Sequence, residues 1–488
     1  MLNAAQVMAQ QLNAMSQGVQ ALRGDAEQGI ADSVMQANEA LQQIAKINKQ
    51  IAALPGTDAA SGALMDQRDR YVDQLSVLMD IRVIDVGNNQ ISVFTGSGLQ
   101  LASTEAARLS FDPAGKVTPE AQWNADPAQS SLGTITLISP SGSSNDLLAN
   151  SSIRSGKIAA YLEMRDKTLV EAQTQLDAIA AGLAQMLSDV TTDGAAVTAG
   201  PLDGFEVDLA GLQDGNPVRV TYTDIASGQQ RTVTFVRVDD SAALPLDNSA
   251  TIDPNDTVVG INFAGGPASV ASQIGAALGP NFTVSNPAGS MLRILDDGGT
   301  NTNMLALSTT RTVTGLASGN VQLPFFTDGG VPYTGAVTAS GSQAVGLAGR
   351  LTVNAMLLAD PSKLVGYAPS TPAGDTTRVD FVLSQLKQGT IALPPQAGIG
   401  SAAVPYAGTM SSILQQVISL QGQAASAAAS LAEGQQVVVS ALEQRMDDVS
   451  GVNIDQEMAH LLQLQTAYGA NARVLTAVRE MLDMLMQI

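Results

Sequence analysis

Apolar residues recur every three or four positions through the first fifty residues. From Leu2 to Leu54 there is no proline, and the pattern continues after a one-residue shift of phase. Its positions are Ala5, Met8, Leu12, Met15, Val19, Leu22, Ala26, Ile30, Val34, Ala37, Leu41, Ile44, Asn48 and Ile51. This spacing predicts one long packed helix, which Pro55 and Gly56 would end. A second helix is predicted from about Ala59 to Met79.

The pattern changes to a period of two after the second helix. Ile81 and Val83 precede Gly87-Asn88-Asn89, a hairpin-type turn, so we predict a small β-region over 81–150. A further helix is predicted from about Ser155 to Asp189. Residues 200–345 are rich in Gly, Thr, Asp and Val. They predict several strands and a short helix over Ser269–Leu278, as in a separate inserted domain.

These patterns predict a multidomain α+β fold. A long-helix, coiled-coil-like bundle from both chain ends would carry inserted β-rich outer domains. The predicted parts are the bundle of 1–80 plus 376–449, a small β-rich region at 81–150, a helical return segment at 151–199, an inserted β-rich outer domain at 200–345, a return segment at 346–375, and a C-terminal heptad helix at 450–488.

The final predicted helix, Ile454–Ile488, has the most regular pattern. Its three-four positions are Leu461, Leu464, Tyr468, Asn471, Leu475, Val478, Leu482 and Leu485, of which seven are apolar. A lone helix of this kind is marginal in water, so the face needs a partner. The pattern alone permits a core helix of the same monomer. The position after the Ser450-Gly451 break, at the end of the chain, favours a helix that packs on other chains.

Composition excludes several classes of protein. There are 45 acidic and 24 basic residues, a net charge of −21, which opposes binding to nucleic acid or to an anionic membrane. No cysteine is present, so disulfides and cysteine metal sites are excluded. The sequence contains no uninterrupted apolar run of ~18 residues, so no membrane span is predicted. The first residues do not resemble a secretory signal peptide.

Nothing in the sequence predicts an enzyme, a cofactor or a metal site. The single histidine, His460, lies beside the final apolar face and is interpreted as a surface residue. Ser384 and Lys387 match S-x-x-K, but the accompanying K-T-G and S-D-N motifs are absent. The acidic stretches at 253–256 and 296–299 lack the spacing of a calcium loop, which favours ordinary turn chemistry over weak Ca²⁺ binding.

Three stretches resemble known flagellar proteins. Ser450–Glu457 and Leu461–Ile488, including Leu464–Tyr468 and Ala470–Leu475, resemble the C-terminus of flagellar axial proteins. Leu64–Asp69, with the following Leu75-Ser76, is similar to the second helix of the hook-associated protein 1 family. Gly346–Asn354 and Leu357–Leu364 are similar to the return from that family's outer domain. The resemblance covers the helical parts well and 200–340 poorly.

The resemblance implies a structural component of the bacterial flagellum that joins hook to filament by helical packing between subunits. It implies self-assembly into a ring or tubular layer, with the hook protein and the next hook-associated protein as neighbours. It also implies a flagellar export chaperone on the C-terminal helix. The location would be extracellular, at the hook–filament junction, after type III export without a cleaved signal peptide.

The sequence departs from the family pattern at its N-terminus. The family's N-terminal helix and its Asn-rich segment, which ends near a Gly-Tyr-Ser motif, do not precede Met1, so we expect an internal start or a truncated copy.

The alternative function is a secreted coiled-coil adhesin or translocator that presents the 200–345 domain. A wall-degrading hydrolase would require a carboxylate pair in a cleft.

Overall fold

The computed structural model describes residues 1–54, 59–253, 255–401, 403–450, 458–459, 461–468 and 476. The chain divides into two compact units, Met1–Gln415 and Gln416–Ile488. The first unit mixes helices with several small sheets, which confirms the α+β part of the predicted fold.

A single long helix begins the first unit. Helix α1 (Leu2–Ala52) contains 51 residues, so at ~1.5 Å per residue it is about 77 Å long. Its second half buries the predicted face from Ile30 to Ile51, including Asn48. In the first half, Met15 and Leu22 were expected to face inward but are 48% and 47% exposed. Ala9, Ser16 and Arg23 are buried there instead, because the packed face is shifted around the helix.

The second helix and two small sheets complete a core against α1. Helix α2 (Ala59–Leu78) is followed by an antiparallel sheet of β1 (Ile81–Gly87), β2 (Gln90–Thr95) and β3 (Gln100–Ala102). A second sheet contains β4 (Arg108–Phe111), β5 (Ile135–Ile138) and β6 (Ser144–Asp146). The predicted hairpin turn is confirmed, with positive φ at Asn88 and Asn89. Apolar side chains from both helices and both sheets share one core.

The predicted helix over 155–189 is interrupted by one wide turn. Helix α3 (Lys157–Glu163) and helix α4 (Leu169–Ser188) are joined by a π-helical turn, Met164–Thr168. Such turns are rare and usually have a local cause. Here the turn places Arg165 inside the protein, where its side chain is fully buried.

A β-rich part of the first unit follows α4, and it is called the outer β domain below after its predicted position. A five-stranded sheet has the order β12–β11–β10–β15–β7, and a four-stranded sheet has the order β13–β14–β9–β8. Their bounds are β7 (Asp189–Asp193), β8 (Ala195–Ala199), β9 (Leu202–Asp208), β10 (Pro217–Asp224), β11 (Gln229–Arg237), β12 (Thr257–Ile261), β13 (Thr283–Ser285), β14 (Met291–Leu295) and β15 (Thr302–Thr312). Helix α5 (Gly266–Leu278) confirms the short helix predicted over Ser269–Leu278, and it buries Val270 and Ile274 in the core of this domain.

Short elements bring the chain back to the long helices. They are β16 (Phe326–Asp328), β17 (Val331–Pro332), β18 (Val337–Thr338), β19 (Gly341–Ser342), α6 (Leu347–Arg350), β20 (Leu351–Val353), α7 (Ala355–Ala359), α8 (Thr377–Gln388), β21 (Thr390–Ala392) and β22 (Ala407–Thr409). Both α6 and β20 pack against α1, and α8 packs against α4.

A long helix follows β22. Helix α9 (Met410–Ser450) contains 41 residues. Ile413, in the first unit, is fully buried. In the second unit, the side chains over 422–442 are exposed, and residues 461–468 form a further helical segment.

Candidate functional site

Three predicted polymerisation positions lie on one described helical segment. Leu461, Leu464 and Tyr468 are helical, and their exposed fractions are 55%, 54% and 80%. Their three-four spacing places them on one face of the helix. The remaining predicted positions, Asn471, Leu475, Val478, Leu482 and Leu485, lie outside the described residues, as does His460.

The local sequence favours a helix at this position. Residues 461–468 contain neither glycine nor proline, and the Thr466 hydroxyl donates to the carbonyl oxygen of Leu462 at 2.7 Å. Leu462 and Met458 add to the exposed apolar surface. A soluble helix seldom exposes so many large apolar side chains unless they bind a partner. This segment, 461–468, is the first candidate assembly surface.

Helix α9 provides a second candidate surface, which the sequence pattern did not single out. From Met410 to Leu442 only Glu433 is charged. Large apolar side chains are nevertheless exposed there, including Ile418, Leu431, Val437 and Leu442. A solvated helix normally has charged side chains on its exposed face, so this composition makes α9 a candidate for contact with a partner.

A buried ionic cluster fixes the helices of the first unit, and sequence patterning missed it. Arg165, in the π-helical turn, lies 2.7 Å from the carboxylate of Glu27 on α1 and also pairs with Asp166. Burial alone would lower the pKa of Arg165, but the hydrogen bonds with Asp166 and Glu27 raise it. Arg23 donates to the carbonyl oxygens of Arg165, Thr118 and Ala121. The cluster joins α1 to α3–α4 and to the 112–133 loop.

Two stretches that carried the family resemblance make specific polar contacts. Arg68 donates to the carbonyl oxygen of Asn89 at 2.6 Å, which holds α2 to the hairpin turn. The carboxylate of Asp177 accepts from the backbone N–H groups of Gly346 and Ala348, both at 2.8 Å. These contacts connect α2 and the return segment to the rest of the unit, so the motifs are architectural.

Two of the motifs weighed as chemical sites lie on an exposed helix face and in a turn. Ser384 and Lys387 are both exposed on α8. The Asp297 carboxylate accepts from the backbone N–H groups of Thr300, Asn301 and Thr302; although burial acts to raise its pKa, these bonds bring it to about 2. Across the described residues, no three Asp, Glu or His side chains are grouped so that they could hold a metal. No described helix is long and apolar enough to cross a membrane.

Comparison with known proteins gives matches at both ends of the chain. Residues 1–203 match the family described as the flagellar hook-associated protein FlgK helical domain. Residues 443–488 match the family described as the flagellar basal body rod FlgEFG protein C-terminal. This second match contains the 461–468 surface.

Two individual proteins are similar to this chain. Flagellar hook-associated protein 1 of Escherichia coli (strain K12) is 25% identical over 470 residues, which cover 94% of this chain and 70% of that protein. The solved structure of the flagellar hook junction protein FlgK from Burkholderia pseudomallei is 21% identical with a TM-score of 0.32. That match covers 64% of this chain and 51% of the other, so the chain spans about half the length of that structure.

The matches at the two ends define a structural protein of the bacterial flagellum. Within that class, residues 1–203 match the helical domain of FlgK, and the chain is similar to flagellar hook-associated protein 1 over 94% of its length. The comparisons do not favour the adhesin or translocator interpretation.

Proposed function

We propose that this chain is a subunit of a ring or tubular layer at the hook–filament junction. In this layer, C-terminal helices of neighbouring subunits would pack together through the face that begins with Leu461, Leu464 and Tyr468. The observation that carries the proposal is the exposure of this face within the segment that matches the flagellar C-terminal family. The function is mechanical: subunit geometry and packing determine it, without bond chemistry.

Burial of the 461–468 surface provides a driving force for assembly. Transfer of a large apolar side chain from water contributes ~1.5–3 kcal/mol, so the three exposed side chains contribute roughly 4–9 kcal/mol per subunit. Identical subunits in a closed layer make the same contact repeatedly, which adds avidity. The exposed apolar side chains of α9 would be covered in the same layer. Helices from both chain ends would form its bundle, and the outer β domain would face outward.

The partners follow from this geometry and from the family. We infer that the hook protein lies on one side of the layer and the next hook-associated protein on the other. Before assembly, an exposed apolar helix would aggregate unless it were covered, and an export chaperone bound to the C-terminal helix would prevent this. The chain would reach the cell exterior through the flagellar export route without a cleaved signal peptide.

The proposal is tested by placing a charge on the C-terminal face. Leu464→Asp removes an apolar contact and introduces a carboxylate that would be buried in the layer, so we expect at least a tenfold loss of incorporation into flagella. The measurement is quantitative mass spectrometry of purified hook–filament structures from cells with this variant as their sole copy. Leu383→Asp, on the exposed face of α8 where the leucine is 42% exposed, is the matched control.

Normal incorporation of Leu383→Asp together with loss of Leu464→Asp supports the proposal. Equal incorporation of the two variants contradicts it. Expression and folding are compared by far-UV circular dichroism of both purified variants, since neither position lies in a buried core.

A further inference from the structure

The chain crosses twice between the long helices and the outer β domain. It leaves at the end of α4, where Ser188 is followed by Asp189, and it returns after β15, which ends at Thr312. The return segment then reaches α6 on the surface of α1 and α4. These crossings form the joint on which the outer domain is mounted, and a carboxylate lies at each of them: Asp177 is buried and Asp189 is half-buried.

Asp189 ties the outgoing strand to the returning one. It accepts from the hydroxyl of Thr312 at 2.8 Å and from that of Ser188 at 3.1 Å. Thr312 and Asp189 are also directly opposite in the β7–β15 pair. Asn216, which immediately precedes β10, donates its side-chain amide to the hydroxyl of Thr312 at 2.9 Å. The crossing is therefore fixed by neutral hydrogen-bonding groups around one carboxylate.

Asp177 holds the return segment to the helices. Besides the N–H groups of Gly346 and Ala348, its carboxylate accepts from the Gln173 amide at 2.9 Å. Gln173 in turn accepts from Ser16 on α1 at 3.0 Å. Three passages of the chain, α1, α4 and the start of α6, therefore meet at this carboxylate.

Neither carboxylate is paired with a cation in the described part of the chain. The nearby guanidinium of Arg350 instead forms ion pairs with Asp328 and Glu120. It acts on Asp177 only through its field, which favours the charged carboxylate. Burial raises the pKa of the Tyr333 phenol, and the combined field of Asp189, Asp177 and Asp328 raises it further. Around the joint, the four carboxylates of Asp177, Asp189, Asp328 and Glu120 thus outnumber the one guanidinium of Arg350.

Burial dominates the titration of both groups. It raises the pKa of Asp177 to about 6 and that of Asp189 to about 6, although their hydrogen bonds act in the opposite direction. The ordinary value is 3.8, so the folded joint binds a proton more tightly than the open one. The added stability is complete below the ordinary value and is lost as pH rises through about 6.

We propose that Asp177 and Asp189 make the mounting of the outer domain an acid-tightened joint, which opens more readily at neutral than at mildly acidic pH. Opening exposes the two carboxylates to water and separates Gly346–Ala348 from α4 and Thr312 from β7. The inference concerns the mobility of the outer domain and does not depend on the proposed flagellar assembly.

Hydrogen–deuterium exchange of the purified full chain at pH 5, 6 and 7 tests the joint directly. The peptides to follow cover 341–351 and 187–193, with rates corrected for intrinsic exchange. A pKa shift of two units predicts an opening equilibrium about tenfold larger at pH 7 than at pH 5 for each carboxylate. An opening equilibrium that is constant, or that becomes smaller from pH 5 to pH 7, overturns the proposal. This test uses the wild-type chain and so does not depend on the folding of any variant.

Two variants and a control assign the effect to these groups. Asp177→Asn and Asp189→Asn cannot titrate, so each should remove the pH dependence from its own peptide and leave the other peptide unchanged. Asp360→Asn, at an exposed helix cap where hydrogen bonds to Ser362 lower the carboxyl pKa, should retain the wild-type profile. Retention of the full pH dependence in both joint variants contradicts the assignment.

Discussion

Three arginines stand out at the scale of single residues, because each is fully buried in the first unit: Arg23, Arg165 and Arg378. Arg378 donates to the carbonyl oxygens of Val321, Leu316 and Asn320, and burial lowers its pKa to about 10. These side chains cross-link irregular loops to helices by satisfying several carbonyl groups at once. Such contacts fix geometry in segments that have few apolar residues.

We predict that removal of one partner from the buried ion pair is strongly destabilising. Glu27→Ala leaves the Arg165 guanidinium buried without one of its two carboxylates, which should cost ~3–5 kcal/mol in the free energy of unfolding. Urea denaturation followed by circular dichroism measures the loss. Glu163→Ala breaks an exposed pair with Lys167 at 4.0 Å and should cost at most ~0.5 kcal/mol. Equal losses in both variants would show that the buried pair has no special role.

Sequence patterning could not identify these residues. A charged residue in a helical repeat is normally assigned to the solvent face, and Arg23 and Glu27 lie within a helix whose apolar spacing already accounts for one face. Asn48 was placed correctly in the buried face, because it occupies an apolar-spaced position. Its amide donates to the carbonyl oxygens of Ile91 and Ser103, both at 2.8 Å, a role that spacing does not indicate.

At the scale of elements, helices and strands were predicted correctly where apolar residues recur regularly, and they were missed where that recurrence is weak. The helices α1, α2 and α5 and the turn at Asn88-Asn89 lie where the pattern predicts them, although the first half of α1 buries Ser16 and Arg23 in place of Met15 and Leu22. Strands β7 and β8 were missed, because sequences such as Asp-Val-Thr-Thr-Asp have no clear alternation. They are strands because β15 and β9 supply backbone hydrogen bonds to them, and a pairing distant in sequence cannot be inferred from local pattern.

The start of α3 gives a prediction at this scale. Gly156 has a φ of 88°, and a Cβ there would lie 2.7 Å from the backbone of Leu78 and Met79. Gly156→Ala should therefore cost ~1–2 kcal/mol from the positive φ and a further ~1–3 kcal/mol from the clash. Gly142→Ala, at a φ of 89° with open space around it, isolates the first effect. Thermal unfolding of both variants gives the comparison, and equal shifts would exclude a clash at Gly156.

At the scale of the whole molecule, the candidate functional features are surfaces rather than a cleft or a chemical site. The first unit contains apolar cores and buried polar clusters, whereas the described helices of the second unit expose many large apolar side chains. The sequence indicated the C-terminal face through its spacing. It could not show whether that face is covered within one chain, because a core helix and an assembly helix have the same pattern.

The most direct measurement of the central claim is immunogold electron microscopy of intact flagella, combined with mass spectrometry of sheared hook–filament structures. Our account predicts one narrow band of label at the hook–filament boundary, and peptides from both 1–203 and 443–488 in the sheared material. Label that is absent from otherwise complete flagella, or spread along the filament, would contradict a junction role.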